Sequence, residues 1–323
     1  MARYIAGRLV QLVVVVLLIL VLTFVIYFVI PPVSPAVLFA GKHPTPQLVE
    51  QVKVNLGLNH PLWVQYLLFT KRFLFGDQSG WPGLGTSYVT HSSVKSLIGG
   101  RIVITATLAI GAALVWLCIG IPMGLLAALR RGRFLDRLSL AASLFFVSAP
   151  VFWLGVMALW LLWYKLGVAP GSGYDPPSQY GFGSWLGHMI LPWIVLALAY
   201  AGWYSRMTRA SVLEVLREDF VRTARAKGVS EWRVVIRHVL RASLTPMTTM
   251  FGMDLAGLLG GTVIVEQVFN LQGLGQFAVE SVFSGDLPSV LAVTLLVAIG
   301  VTFANLLVDL LYVVLDPRVR LNR

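Results

Sequence analysis

Acids are scarce in this sequence, and their positions give the first clue to chemistry. Only 14 of the 323 residues are Asp or Glu. Three of them, Asp254, Glu266 and Asp309, stand within long apolar runs or near their ends. A charge near the centre of a bilayer costs about 2.5–3.5 kcal/mol on insertion scales, so such a residue should face a bundle interior or a wet cavity. Asp254 is the eighth residue of the run that begins at Met247, roughly 12 Å deep at about 1.5 Å per residue. It is the main candidate for a translocation pathway, with a satisfied structural acid as the alternative. Glu266, near the other end of the same run, is a candidate for an outer gate. Asp309, near the inner end of the last run, reads as structural.

The remaining reactive residue types form no constellation. His43, His60, His91, His188 and His238 show no metal-ligand spacing. Cys118, the single cysteine, lies inside an apolar run and reads as a small buried hydrophobe, which excludes a disulfide framework and a zinc ribbon. The sequence has no His-Glu-x-x-His, no Gly-x-Ser-x-Gly and no Gly-x-x-x-x-Gly-Lys-Ser/Thr. Gly273-x-Gly275 reads as a turn and not as a nucleotide fingerprint. A membrane-embedded enzyme would need a clustered nucleophile, base or metal motif, and none is found.

The elements that must position these residues are set by composition. Hydrophobic residues make up 57% of the chain and charged residues 12%, against about half and about a quarter in soluble domains. One core could not hide so much apolar surface, whereas lipid would solvate it. A helix needs about 20 apolar residues to cross the hydrocarbon core. Six stretches qualify: Leu9–Ile30, Ile102–Leu129, Leu138–Tyr164, His188–Tyr204, Met247–Val268 and Ser289–Leu315. The first run is too long for the core of a signal peptide and reads as a retained helix. The expected class is an all-α polytopic membrane protein with six transmembrane helices.

Small residues and prolines mark special points on these helices. Gly120-x-x-x-Gly124 and Gly257-x-x-x-Gly261 permit close helix approach. Pro122 is expected to bend the second helix. Phe146, Ser148, Pro150 and Phe152 mark a break in the third, where a pathway wall is a further candidate; packing is the alternative for each.

The net charge of +11 is explained by topology. Eighteen of the 25 basic residues fall on one side: at the N-terminus (Arg3, Arg8), between the second and third runs, between the fourth and fifth, and in the tail (Arg318, Arg320, Arg323). Segments 168–187 and 269–288 carry none. Segment 31–100 carries Lys42, Lys53, Lys71, Arg72 and Lys95, but long loops translocate largely regardless of charge. Both termini are therefore expected in the cytoplasm, and nucleic acid is not needed to explain the charge. In the outside segment, Thr45–Leu56 reads as a short helix capped by Thr45 with Pro46 at its first position. Pro61–Phe75 is apolar and aromatic but too short to span, so it should lie on the membrane surface or pack on the helices. The segment as a whole reads as a cap on the bundle or a docking surface for an extracytoplasmic partner.

Segment 205–245 is the most informative. Glu214–Ala226 reads as a charged helix ended by Gly228, with Lys227 in the last turn. Ser230 then caps a second helix, in which Trp232, Val235, Ile236, Val239, Leu240 and Ser243 share one face at the helical period. Arg233, Arg237 and Arg241 form a neighbouring basic stripe. The expectation is a helix–glycine–helix hairpin whose second arm lies on the membrane or the bundle. An interfacial helix held by anionic lipid is the simpler alternative.

Within that hairpin, Asp219-Phe220-Val221-Arg222-Thr223-Ala224-Arg225-Ala226-Lys227-Gly228 resembles the EAA loop of ABC importer permeases, in the form found in the oligopeptide/dipeptide/nickel family. The general pattern, Glu-Ala-Ala, three residues and Gly, is matched by Arg222-Thr223-Ala224 and Gly228. Arg241 stands where the general pattern has a proline, as it does in the peptide branch. Asn55-Leu56-Gly57-Leu58-Asn59-His60-Pro61 with Gln65-Tyr66, Val265-Glu266-Gln267-Val268-Phe269 with Gly273-Leu274-Gly275, and Asp309-Leu310-Leu311-Tyr312 with Leu315-Asp316-Pro317-Arg318 resemble other segments of that family, in order along the chain.

The resemblance implies a type I importer permease fold. Residues 1–96 would be the first helix and the outside segment, 97–316 a five-helix core with a coupling loop at 205–245, and 317–323 a tail. It also implies one permease half of a pore, paired with a second permease subunit, two cytoplasmic ATPases and an extracytoplasmic substrate-binding protein. ATP and Mg²⁺ would bind the ATPases, leaving this chain without a cofactor and without a catalytic role of its own. Asp219, Arg222, Thr223, Ala224, Arg225, Ala226, Lys227 and Gly228 would seat in an ATPase groove. The cargo implied is a peptide; nickel or another small solute is the alternative, and an ATP-independent transporter a more distant one. That last class calls for internal repeats or paired intramembrane charges, and the sequence offers no convincing repeat.

Overall fold

The computed structural model describes residues 2–41, 44–77, 80–87 and 89–315. Lys42, His43 and the tail from residue 316, with Arg318, Arg320 and Arg323, lie outside the described residues, as does the side chain of Asp309. No strand occurs among the described residues, only two isolated bridges, Asp77–Gly80 and Thr86–Ser93. The helices are α1 Ala2–Phe24, α2 Pro35–Phe39, α3 Pro46–Leu56, α4 Leu62–Phe75, α5 Val94–Leu129, α6 Phe134–Ser148 and α7 Val151–Ala158. They continue with α8 Pro177–Val215, α9 Asp219–Ala226, α10 Glu231–Arg233, α11 Arg241–Ser243, α12 Thr245–Phe269, α13 Leu274–Ser284 and α14 Leu287–Leu315. Wider π-helical turns extend α1 through Val25–Val29 and α7 through Leu159–Lys165, and join α10 to α11 through Val234–Leu240.

Among the described residues, four helical stretches are long and apolar enough to cross a bilayer: Ala6–Val29, Val94–Leu129, Pro177–Val215 and Leu287–Leu306. The predicted third span is broken, as Pro150 suggests. Its limbs, Phe134–Ser148 and Val151–Lys165, meet at 105° and make a fifth crossing if they count as one. The cause is local: Pro150 disfavours helical backbone at the residue before it, and Ala149 is extended (ψ 131°). The remaining predicted stretch lies in α12, a continuous helix of 25 residues. Two boundaries differ from the sequence reading. α8 begins eleven residues before His188, at Pro177, breaks at Gly181 (φ +83°, ψ 162°), and runs eleven past Tyr204 to Val215. The helix expected over Glu214–Ala226 is interrupted by a turn at 216–218 before α9 begins.

The chain divides into two compact units that cut across the sequence order. One comprises residues 1–105 and 272–307. Its core sets Phe24 and Phe28, stacked at 5.0 Å, against Phe69 and Phe39, with Leu20, Val52, Leu291 and Leu295 buried around them. Thr45 caps α3 as expected, its Oγ1 accepting from Leu48 N at 3.3 Å. On α4, Tyr66, Phe69 and Phe73 pack on this core, while Trp63, Leu67 and Phe75 are exposed. A second cluster joins Leu84, Val94 and Ile98 to Leu274, Phe277, Ala292 and Val293.

The other unit comprises 106–271 and, at the end of α14, 308–315. Here α5 runs unbroken through Pro122 and meets α8 at close range. A Cβ on Gly120 would stand 2.9 Å from Ala201 O and from Tyr204 Cβ, and one on Gly124 would collide with Ser205 O and Thr208 Cβ. The first small-x-x-x-small pair is thus a helix contact. The second pair is not seen to be one at Gly257, whose only near neighbour among the described residues is Tyr200 Oη, at 3.9 Å from the same built position. α6 crosses α8 where Gly202 admits Ser143 O, and α7 packs on α12 where Gly155 meets Val268 and Phe269.

Candidate functional site

The hairpin is a packed elbow. α8 carries the chain past its apolar section, the turn at 216–218 redirects it, and α9 forms the outward arm. Gly228 adopts φ +75° just after α9, and the amide N–H of Gly228 donates to Arg225 O at 2.9 Å. That left-handed backbone is the conformation glycine permits without strain. Ser230 occupies the N-cap position of α10, although its side chain makes no capping hydrogen bond.

Inside the elbow, Val212, Val221, Ala224, Val234, Val235 and Val239 bury one another together with Leu125 and Ala128 of α5. Ala224, expected on the gripping face, belongs to this interior. The return arm also differs from the expected face. Val235, Val239 and Ser243 are buried, but Trp232 is 75% exposed and Ile236 37%. The π-helical winding of Val234–Leu240 is the reason: i→i+5 bonding takes more residues per turn, so positions spaced for an α-helix rotate off the buried face.

The outer surface of the elbow is basic. Asp219, Arg222, Thr223, Arg225, Ala226, Lys227 and Gly228 are all exposed. Arg222 reaches Asp219 at 3.4 Å across one turn, an exposed pair of little energetic weight. Thr223 Oγ1 donates to Asp219 O at 2.9 Å. Arg225 bridges the glycine turn, with Nε donating to Glu231 Oε2 at 3.0 Å and an Nη donating to Oε1 at 2.5 Å. This guanidinium holds the Glu231 carboxyl below its ordinary range. The fork ties the two arms, while Arg222 and Lys227 remain as outward positive groups. Phe220, 45% exposed, and Trp232 add apolar contact area. No group of three metal-ligating side chains exists among the described residues.

Asp136, near the start of α6, and Arg209, near the end of α8, lock the two helices together, a contact the sequence reading missed. Arg209 Nε donates to Asp136 Oδ1 at 2.6 Å and Nη2 to Oδ2 at 3.0 Å, and Gly132 N–H also donates to Oδ2. Asp136 is 3% exposed. The only signal in the sequence is a single acid within the basic 130–137 loop; its partner is 73 residues away.

The candidate pathway residues do not form one cluster. Asp254 is partly buried on α12 and accepts the Tyr204 hydroxyl on Oδ2 at 2.8 Å. Glu266, twelve residues on, is fully buried. Phe146 is partly buried, and Ser148 and Phe152 are exposed, on either side of the break at Pro150. Tyr204, Tyr200 and Trp116 around Asp254 were not singled out in the sequence; nothing local marks them as its neighbours.

Comparison with known proteins places this arrangement. Residues 120–321 match the family described as the binding-protein-dependent transport system inner membrane component, and residues 1–109 match the N-terminal part of such membrane components. A putative peptide transport system permease protein of Brucella abortus (strain 2308) is 38% identical over 289 residues, 90% of each chain. The glutathione transport system permease protein GsiC of Escherichia coli (strain K12) is 39% identical over 290 residues, again 90% of each. Among solved structures, a chain of the MetNI methionine ABC transporter in inward-facing conformations superposes with TM-score 0.55 at 19% identity, covering 68% of this chain and 97% of its own, a likeness of fold. The chain belongs to the family of binding-protein-dependent transport system inner membrane components, and it is a multi-pass permease of the ABC importer type.

Proposed function

We propose that this chain is one permease subunit of an ATP-driven peptide importer and that its elbow takes up the motion of a cytoplasmic ATPase. The peptide reading is supported by relatives named as peptide and glutathione permeases at 38–39% identity. The observation that carries the mechanical reading is the construction of the elbow. A lever must be stiff, and this one is cored by six buried side chains of its own and joined to α5 through Leu125 and Ala128. Its outer surface offers Arg222, Arg225 and Lys227 beside small residues, Thr223 and Ala226, turned sharply at Gly228. Such charges set register and partner choice on an acidic groove more than raw affinity.

In this proposal the chain spans the cytoplasmic membrane with both termini inside, beside a second permease subunit. Two ATPases below bind ATP and Mg²⁺, and a binding protein delivers peptide from outside. Asp254 lines the route; Phe146, Ser148 and Phe152 flank it at the break; Glu266 helps close its outer end.

Reconstitution with the partner subunits tests this. Charge reversal at Arg222 and Arg225, or Gly228→Pro, is expected to leave membrane insertion intact and to abolish ATP-driven uptake of peptide from a loaded binding protein. Normal uptake and normal peptide-stimulated ATP hydrolysis in these variants would remove the elbow from the mechanism.

A further inference from the structure

Asp254 is an acid within an apolar helix, with a neutral partner and no cation beside it among the described residues. Its Oδ2 accepts from Tyr204, and no Lys, Arg or His pairs with it among the described residues. Four aromatic rings share its neighbourhood. Trp116 stacks on Tyr200 at 4.7 Å between centroids and meets Tyr204 and Phe251 at 5.7 Å each. Gly257, one turn beyond Asp254 on the same helix face, adds no side chain, and Tyr200 Oη stands over it. Trp116 and Tyr204 are fully buried, whereas Tyr200, Phe251 and Asp254 are partly exposed. The carboxylate is thus among the groups of this assembly that remain accessible.

The carboxylate and the ring faces of this assembly are negative, beside the positive edge of the Trp116 indole N–H. Aromatic faces carry the negative part of the ring quadrupole and attract a cation within about 6 Å of the centroid. A carboxylate in an apolar surround acts through a weakly screening medium. An acid at this depth without an ionic partner calls for a counter-charge, and none of the described residues supplies one. An anionic group would be repelled by the carboxylate, whereas a cation gains from both the carboxylate and the ring faces.

We propose that Asp254, with the rings of Tyr200, Tyr204, Phe251 and Trp116, is a transit site for a primary ammonium group on the transported solute. This rests on the peptide reading above, since a peptide brings one such group at its N-terminus and another on each lysine. Tyr204 holds Oδ2 and so aims the carboxylate, leaving Oδ1 to the cargo. Binding here is brief, because the group must leave again for transport to finish.

The test uses the complete reconstituted complex in sealed vesicles, with initial uptake measured from saturating loaded binding protein. The probes are trialanine and N-acetyl-Ala-Ala-Lys. Asp254→Asn is expected to slow trialanine uptake by about tenfold or more, and Asp254→Glu, which keeps the charge, to restore most of it. Tyr204→Phe keeps the carboxylate and is expected to slow uptake by no more than about threefold. Sensitivity of N-acetyl-Ala-Ala-Lys uptake to Asp254→Asn assigns the site to any primary ammonium, and insensitivity to the N-terminal one alone. Equal trialanine uptake by wild type and Asp254→Asn overturns the inference, and so does a loss in Tyr204→Phe as large as in Asp254→Asn, which would make the acid a tether for the tyrosine. Failure of the wild-type complex to take up any peptide would instead overturn the proposed function.

Discussion

Gly228 and Glu231 show how single residues set the elbow. A Cβ at Gly228 would meet nothing within 4 Å, so the cost of replacing it lies in the backbone and not in crowding. An L-residue in the left-handed region costs about 1–2 kcal/mol, with Asn the most tolerant. Gly228→Asn is therefore expected to keep most ATP-driven uptake and Gly228→Val to lose it, although both add a side chain to open space. Equal loss in the two would mean that the surface at this point, and not the turn, is what matters. The Arg225–Glu231 fork is half-exposed, so its contribution should stay below about 1 kcal/mol and shrink with salt. Its sign with pH follows from the lowered Glu231 carboxyl. The stabilisation is present above the ordinary glutamate range and is lost as pH falls through the lowered value. Amide exchange across 219–235 is expected to be faster in Glu231→Gln than in wild type at neutral pH, and the difference should vanish on acidification.

At the scale of elements, identical spacing produces different contacts. Gly120-x-x-x-Gly124 brings α5 onto α8 so closely that a methyl at Gly124 must displace the backbone of Ser205. Gly124→Ala is expected to destabilise by about 1–3 kcal/mol, and Gly257→Ala, with only a hydroxyl at 3.9 Å among the described residues, to be nearly neutral. Thermal unfolding in detergent or nanodiscs compares them directly; equal shifts would show that the α5–α8 contact is not close. The Asp136–Arg209 lock makes a second forecast. Removing one partner leaves an uncompensated charge, so Asp136→Ala is expected to lower thermal stability. Asp136→Ala combined with Arg209→Met should cost less than the sum of the two single changes, and strict additivity would show the two groups to be independent.

Much at these two scales was legible in advance. The cap at Thr45, the stop at Gly228 and the break at Pro150 are local chemistry: an oxygen beside free amides, a positive φ, a missing N–H. The face of the return arm was not legible, because α and π winding share the same apolar residues and differ only in which of them end up inside. The interior position of Ala224 was hidden for a related reason. Smallness suits a contact surface and a packed core equally, and only the neighbours decide between them.

For the molecule as a whole, the distribution of arginine sets the expected orientation. With Cys118 replaced, Arg222→Cys on the elbow and Ser172→Cys in the 168–187 segment should label from opposite faces of sealed vesicles, the elbow from the cytoplasmic face. Labelling from one face would overturn the topology. The sequence by itself determined the solvent, the helical class and the family, because apolar run length and a ten-residue loop signature are properties of the linear chain. Only the tertiary structure decided which polar groups meet: Asp254 with Tyr204, 50 residues apart, and Asp136 with Arg209, 73 apart. It also joined residues 272–307 to the first 105. The physical reason is that in an apolar bundle nearly every helix face is greasy. Hydrophobic periodicity then cannot say which face turns inward, and the phase of each helix is fixed by the close packing of small residues and by the few polar groups that must find one another.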